Sequence, residues 1–262
     1  LCLTVPTPAI EITGERIRVA VLSSISWFSG TWPYTDYARW VNNTYLSLEL
    51  LGYDVDYLLD ADNQTIEQYK VVFTIGVNDY VKQLAHLAEV GGVPVILRDF
   101  EYKLVEYIGL SVGSPAWVSA EIDWSTLKED DPIVRNLKDQ WDAFSVGSEA
   151  LNITSAPSGT VWLLNTTGGQ PVIWKLSDPE KGTWVFIMSK AYPHNIKFTQ
   201  LFDNICAWQG IPRIDYIRYG FDAVWLPRLD DLYDSAINIF LDWANIADGL
   251  VAVAVITNKT SV

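Results

Sequence analysis

Short apolar runs alternate with segments of helical periodicity over the first hundred residues. The runs are rich in β-branched residues and end at polar or glycine-containing turns, as buried strands do. The pattern predicts strands over 17–22, 55–59, 71–75 and 93–97, and helices from Asp36 to Gly52 and from Asp79 to Val90. Strands that alternate with helices in this order predict a mostly parallel sheet with right-handed crossovers.

The pattern changes after Pro115, where short polar turns separate the apolar runs. Strands are predicted over 117–122, 161–164, 172–176 and 184–188, and we interpret them as antiparallel hairpins added to the sheet. We interpret the acidic run 129–132 as a solvated helix entry. An amphipathic helix is predicted from Asn195 to Trp208. The Gly210-Ile211-Pro212 break then sets a predicted boundary between a first domain, 1–209, and a β-α-β segment, 210–262.

Composition narrows the class of protein. The chain has 262 residues, 49% of them hydrophobic, and a formal net charge of −14, which predicts an acidic globular protein. Such a surface repels nucleic acid and anionic membranes, so neither is an expected partner. The sequence contains no apolar run of the roughly 20 residues that a membrane-spanning helix needs.

Acceptor triplets for N-linked sugar indicate the compartment. Asn-x-Ser/Thr occurs five times, more often than the composition gives by chance, at Asn42, Asn63, Asn152, Asn165 and Asn258. We therefore expect an exported glycoprotein, extracellular or on the cell surface, although coincidence in a cytosolic protein remains the alternative. Because the chain begins at Leu1 and not at Met, we expect a processed form, from which a leader peptide could have been removed, or a fragment.

The two cysteines are compatible with export. Cys2 and Cys206 would most simply form one disulfide, which would tie the N-terminus to the helix that ends the first domain. Two unrelated buried thiols are the alternative.

Residues 17–208 resemble the class I glutamine amidotransferase-like fold, a flavodoxin-like α/β sheet. The resemblance rests on the order of the strands and on the segments Gln170-Pro171-Val172-Ile173-Trp174 and Gly182-Thr183-Trp184-Val185-Phe186-Ile187. Active members carry a cysteine nucleophile on the turn after a central strand. Here the strand over 93–97 continues into Arg98-Asp99-Phe100, which offers no thiol or serine hydroxyl, so we expect a domain without amidotransferase chemistry.

A ligand crevice is expected at the carboxyl ends of the parallel strands, where open α/β sheets bind their ligands. Its candidate residues follow the first, third and fourth strands, over Ser23 to Trp32, Gly76 to Asp79 and Arg98-Asp99. The side chains singled out among them are Trp27, Trp32, Asn78, Asp79, Arg98 and Asp99. The aromatic residues of the first loop could stack on sugar rings. They could equally pack that loop against the helices.

The segment from Tyr219 to Asp231 resembles the opening strand of polysaccharide deacetylases. In that family the first Asp of such a pair is the general base and the second binds the metal, which would be Asp230 and Asp231 here. The family completes its metal site with two histidines on a later helix. This chain has only His86 and His194, both upstream, so a divalent metal is expected only in a complete deacetylase-like domain and no cofactor in these 262 residues. The alternative is that an Asp near this point caps the helix that begins near Tyr233.

Taken together, these patterns predict an exported, glycosylated surface protein associated with carbohydrate. It would combine a non-catalytic amidotransferase-like domain with the first part of a deacetylase-like barrel. The alternative is a structural subunit of a cell envelope or extracellular filament, in which aromatic side chains contact other copies of the chain.

Overall fold

The structure is a computed structural model that describes residues 18–24, 34–75, 79–97, 102–119, 121–137, 149–187 and 196–212. The chain divides into two compact units, Leu1–Tyr216 and Ile217–Val262, and every described residue belongs to the first. The predicted boundary after residue 209 lies a few residues before this division. No helix among the described residues is both long enough and apolar enough to cross a membrane.

Strands and helices alternate through the first half of this unit, and strands dominate the second half. The helices are α1 (Tyr34–Leu50), α2 (Asn63–Ile66), α3 (Val81–Glu89), α4 (Tyr102–Ile108) and α5 (Ile196–Trp208). The strands are β1 (Arg18–Leu22), β2 (Val55–Leu58), β3 (Tyr69–Thr74), β4 (Val93–Leu97), β5 (Ser111–Ser119), β6 (Ile122–Asp123), β7 (Glu149–Ser155), β8 (Thr160–Thr166), β9 (Pro171–Asp178) and β10 (Gly182–Ile187).

Eight of these strands form one sheet in the order β2-β1-β3-β4-β10-β9-β8-β6. The first five are parallel, and β9, β8 and β6 continue the sheet in antiparallel fashion. With β10 as the fifth parallel strand, the order is 2-1-3-4-5, which is the flavodoxin-like arrangement. The predicted fold, a flavodoxin-like mostly parallel sheet with added antiparallel hairpins, is therefore confirmed.

The sheet is covered on both faces. Helices α1 and α5 pack on one face, where Tyr37 and Phe202 are buried against alternate residues of the central strands. Helices α2, α3 and α4 pack on the other face, where Leu84 and Leu104 are buried. A parallel strand that is buried on both faces must be apolar throughout, and all five residues of β4 (Val93–Leu97) are buried.

Aromatic rings form a continuous row on the second face, across the antiparallel strands. The rings of Trp162 and Trp174 meet edge to face with centroids 5.5 Å apart, and Trp174 stacks on Phe186 at 3.7 Å. Trp184 and Tyr107 extend the row towards α4. Such pairs contribute about 0.5–1.5 kcal/mol each beyond the apolar area that they bury.

Some elements differ from the sequence-based expectation. The strand predicted over 117–122 is divided, because β5 pairs with β7 in a separate two-stranded sheet while β6 joins the main sheet. Helices α2 and α4 and strand β7 were not predicted, since two of these elements are short and β7 is polar on its exposed side. The acidic run 129–132 was interpreted as a solvated helix entry. It is instead a set of turns, in which Asp131 is largely buried and accepts a hydrogen bond from Lys175.

The start of β10 approaches the end of α3 very closely. Gly182 has a φ of +73°, and a Cβ atom added to it would lie 2.3 Å from the carbonyl oxygen of Ala88. Gly169 has a similar φ of +82°, but a Cβ there would meet no atom within 4 Å. A substitution at Gly169 would therefore cause backbone strain alone, whereas one at Gly182 would cause backbone strain and a steric clash.

We predict that Gly182→Ala destabilises the protein more than Gly169→Ala. Both substitutions place a Cβ atom on a left-handed backbone, which lowers the free energy of unfolding by about 1–2 kcal/mol. Only Gly182→Ala also forces two backbones apart, which lowers it by about 1–3 kcal/mol more. Urea unfolding followed by tryptophan fluorescence measures both free energies of unfolding. Equal losses in the two variants would contradict the close α3–β10 packing.

Candidate functional site

The carboxyl ends of β1, β2 and β3 lie side by side at one edge of the sheet. In the 2-1-3-4-5 order the crossovers change direction between β1 and β3, and ligands of open α/β sheets bind in the crevice at that point. Ser23 and Ser24 follow β1 directly and are 0% and 1% exposed. Two buried hydroxyl side chains therefore stand where such a crevice is expected.

Ser24 joins three separate segments of the chain. Its backbone N–H donates to the hydroxyl of Tyr37 on α1 (3.1 Å), and its Oγ donates to Oδ2 of Asp79 (2.6 Å). The Tyr37 hydroxyl in turn donates to the carbonyl oxygen of Ile75, just after β3 (2.7 Å). These bonds fix the ends of β1 and β3 and the first turns of α1 relative to one another.

A second group of hydroxyls lies beside it, towards β2. Ser23 Oγ is 2.7 Å from the hydroxyl of Tyr57, whose side chain is 44% exposed. The hydroxyl of Tyr80 donates to the carboxylate of Asp60 and to the carbonyl oxygen of Leu59. Burial, and then the hydrogen bond to Asp60, raises the pKa of Tyr80 above its ordinary value, so this phenol stays protonated and acts as a donor.

We call these side chains the carboxyl-edge cluster: Ser23, Ser24, Tyr37, Tyr57, Asp60, Asp79 and Tyr80. It contains hydroxyls and carboxylates and no thiol or imidazole. Hydroxyls both donate and accept hydrogen bonds, and carboxylates accept them, which suits a ligand rich in hydroxyl groups. Among the described residues no group of three or more His, Cys, Asp or Glu side chains is placed to hold a metal ion.

The cysteine and the histidine within the described part of the chain lie away from this cluster. Cys206 is on α5 and is fully buried in the core on the face covered by α1 and α5. His86 is in the last turn of α3, where its Nε2 is 3.0 Å from Glu67. Because α3 begins beside the carboxyl edge and runs back along the sheet, its last turn points to the opposite edge.

Of the predicted crevice residues, Asp79 is described and belongs to the carboxyl-edge cluster. The other predicted crevice and metal residues, together with one of the two cysteines, lie outside the described residues: Trp27, Trp32, Asn78, Arg98, Asp99, Asp230, Asp231 and Cys2. Sequence reasoning included Ser23 and Ser24 in the expected crevice but missed Tyr57 and Tyr80. Their signal is weak, because each tyrosine also fits the apolar pattern of its own element.

The predicted sugar acceptors fall into two groups. Asn42 on α1 and Asn63 on α2 are exposed, whereas Asn152 on β7 and Asn165 on β8 are partly buried. Asn258 lies outside the described residues.

We predict that Tyr37→Phe lowers the free energy of unfolding by about 1–3 kcal/mol, because it removes a buried hydroxyl that links a donor and an acceptor. The matched control is Tyr45→Phe, which removes a hydroxyl that bonds Glu49 at the surface and should cost less than about 0.5 kcal/mol. Thermal unfolding monitored by circular dichroism compares the two variants. A Tyr37→Phe variant as stable as the control would contradict the role given to this hydroxyl.

No protein-family model matches the chain, and no curated protein matches it. Three solved structures illustrate what it is similar to. A GMP synthase subunit from Thermoplasma acidophilum is 10% identical, with 74% of this chain and 94% of that chain covered and a TM-score of 0.48. The exo-β-1,4-mannosidase Op5Man5 from Opitutaceae bacterium strain TAV5 is 12% identical, with 74% and 35% covered and a TM-score of 0.43, so this chain spans about a third of it. The N-terminal domain of mmIFT52 is 14% identical, with 74% and 98% covered and a TM-score of 0.42. At these values none of the three assigns a family or a function to the chain.

Proposed function

We propose that this chain is the non-catalytic, carbohydrate-binding part of an exported and glycosylated surface protein. In this proposal an amidotransferase-like domain, 1–209, precedes the start of a polysaccharide deacetylase-like region, 210–262. The observation that carries the proposal is the carboxyl-edge cluster, whose hydroxyls and carboxylates lie where this fold binds ligands.

Carbohydrate is the ligand that suits this chemistry best. Asp79 is exposed and offers a carboxylate acceptor, while Tyr57 offers an exposed ring with a hydroxyl at its rim. Sugars present hydroxyls to such acceptors and apolar ring faces to aromatic side chains. The net charge of −14 disfavours phosphate-rich ligands.

The proposed lack of amidotransferase chemistry rests on the sequence that follows β4. That sequence reads Arg98-Asp99-Phe100, and neither a guanidinium nor a carboxylate can replace a thiolate as the attacking group on an amide carbonyl. A domain of this fold without its nucleophile keeps the crevice and can still bind.

The deacetylase-like region remains a proposal that rests on the sequence from Tyr219 to Asp231. In a complete domain Asp230 would serve as general base and Asp231 would bind a divalent metal, with imidazole ligands that this chain does not supply after Asp231. Turnover of an acetylated polysaccharide by this chain with added Zn²⁺ would overturn the proposal.

A structural subunit is the second candidate, and exposed apolar side chains favour it. Leu50 on α1 is 86% exposed and Leu46 is 41% exposed, and Leu59, just after the terminal strand β2 of the sheet, is 40% exposed. These residues could contact other copies of the chain. Light scattering, which measures particle size, distinguishes the two candidates. A structural subunit should form ordered polymers, whereas a carbohydrate-binding protein can be a monomer.

We predict that Asp79→Asn weakens binding to neutral polysaccharides by about tenfold or more, because it removes a charged acceptor from the cluster. Asp130→Asn makes the same charge change on an exposed turn away from the cluster and should leave binding unchanged. Titration calorimetry against a panel of soluble polysaccharides measures both. Equal affinities for the two variants, or no binding to any member of the panel, would count against carbohydrate binding at this edge.

Export also predicts that Cys2 and Cys206 are bonded to each other. Alkylation of the secreted, unfolded protein without reductant should leave both cysteines unlabelled, and peptide mapping should show one cross-linked pair. Labelling of both thiols would instead support two unrelated buried cysteines.

A further inference from the structure

Four of the five sugar-acceptor triplets lie within the described residues, and they differ in the exposure and hydrogen bonding of their side chains. An enzyme that modifies Asn-x-Thr must reach the amide nitrogen of the asparagine and the hydroxyl of the threonine. The exposure of both side chains therefore decides which triplets can be modified after folding. This argument rests on the proposal that the protein is exported.

Asn63 meets both requirements. It is the first residue of the single-turn helix α2, its side chain is exposed, and Asp62 rather than Asn63 caps the helix by accepting from the Thr65 N–H (2.7 Å). Thr65 itself is partly exposed. A sugar on Asn63 would project from the surface and displace no contact that holds α2.

Asn42 meets only the first requirement. Its side chain is exposed on α1, but Thr44 is 0% exposed and its hydroxyl donates to the carbonyl oxygen of Trp40 (2.9 Å). The threonine hydroxyl can be reached only when α1 is unfolded. Once attached, a sugar on Asn42 would still point into solvent.

Asn152 is engaged through both atoms of its amide. Its Nδ2 donates to the carbonyl oxygen of Pro115 (3.0 Å), and its Oδ1 accepts from Nε2 of Gln170 (3.3 Å). The same amide packs over Gly113, where an added Cβ would lie 2.7 Å from Nδ2. A sugar on this nitrogen would break the bond from Asn152 to Pro115, which links β7 to β5 in addition to their backbone pairing.

Asn165 is obstructed by burial. Its Oδ1 is buried and has no hydrogen-bond partner among the described residues, and its backbone N–H donates to the hydroxyl of Thr126 (2.9 Å). The residue pairs with Asp123 of β6 at the far side of the main sheet. A sugar on Asn165 would have to be accommodated at a partly buried side chain whose amide oxygen is already enclosed.

We infer that Asn63 is the sugar acceptor of the folded domain, that Asn42 accepts a sugar only before folding, and that Asn152 and Asn165 carry none in the folded protein. In the transfer, Nδ2 of the asparagine forms a bond to the anomeric carbon of a sugar activated as a polyprenyl-phosphate-linked donor. The bond from that carbon to the phosphate oxygen breaks, the lipid phosphate leaves with the electron pair, and the amide proton passes to solvent.

The test uses the full chain, purified unglycosylated and folded, with an oligosaccharyltransferase and its lipid-linked donor. Glycopeptide mass spectrometry should find modification at Asn63 exceeding that at Asn42, Asn152 and Asn165 by about tenfold or more, because those sites require local unfolding. Thr65→Val should abolish modification at Asn63. Modification at Asn152 or Asn165 equal to that at Asn63 would overturn the inference.

The timing of modification is tested on the protein isolated from its native cell surface. Sugar at both Asn42 and Asn63 would show that attachment precedes folding. Sugar at Asn63 alone would show that attachment follows folding. Either pattern supports the inference. Sugar at Asn42 without sugar at Asn63 would overturn it. A native protein with no sugar at any triplet would overturn the export proposal, while transfer to the folded chain would still test the accessibility of Asn63.

Discussion

The parallel pairing of β10 with β4 is the interaction on which the rest of the structure depends. Three residue pairs, from Val185↔Val95 to Ile187↔Leu97, join strands that are separated by most of the antiparallel half of the chain. Both faces of β10 are buried, with Trp184 and Phe186 on one side and Val185 and Ile187 on the other. A slip of one residue would exchange large aromatic and smaller aliphatic side chains between the two faces, so the register is strongly specified. Without this pairing, β9, β8 and β6 would lose their attachment to the wound part of the sheet.

The carboxyl-edge cluster draws its residues from the first part of the chain, between Ser23 and Tyr80, so it does not depend on the antiparallel extension for its side chains. Its hydrogen bonds run mainly within the protein, from Ser24 to Asp79 and from Tyr37 to Ile75. Such bonds satisfy polar groups that the ends of buried strands would otherwise leave unpaired. These bonds hold the ends of β1 and β3 in fixed positions, and in the proposed binding role such preorganisation would lower the entropic cost of binding.

Sequence reasoning located the strands of the parallel half and its helices α1 and α3, because the central strands are mainly apolar and these two helices have a clear periodicity. It missed the short helices α2 and α4. The predicted strand over 93–97 has the same bounds as β4. The side chains of Tyr37, Trp40 and Leu48 lie on one face of α1 and are buried in the core. Sequence reasoning failed where tertiary contacts decide the structure. The division of 117–122 between two sheets depends on pairing with β7 and β8, and the burial of Asp131 depends on Lys175, a partner 44 residues away. For the site, the position of Asp79 followed from its place after a strand, whereas the bonds of Tyr37 and Tyr80 involve hydroxyls at the ends of side chains that pattern analysis counts as apolar.

The row of aromatic rings across β8, β9 and β10 has a consequence for the ultraviolet spectroscopy of the antiparallel part of the sheet. The indoles of Trp162 and Trp174 lie 5.5 Å apart at an interplanar angle of 69°, close enough for their electronic transitions to couple. Coupling of this kind gives paired ultraviolet circular dichroism bands of opposite sign, which vanish when the rings separate. The pair of indoles would thus serve as an intrinsic optical reporter for the packing of β8 beside β9.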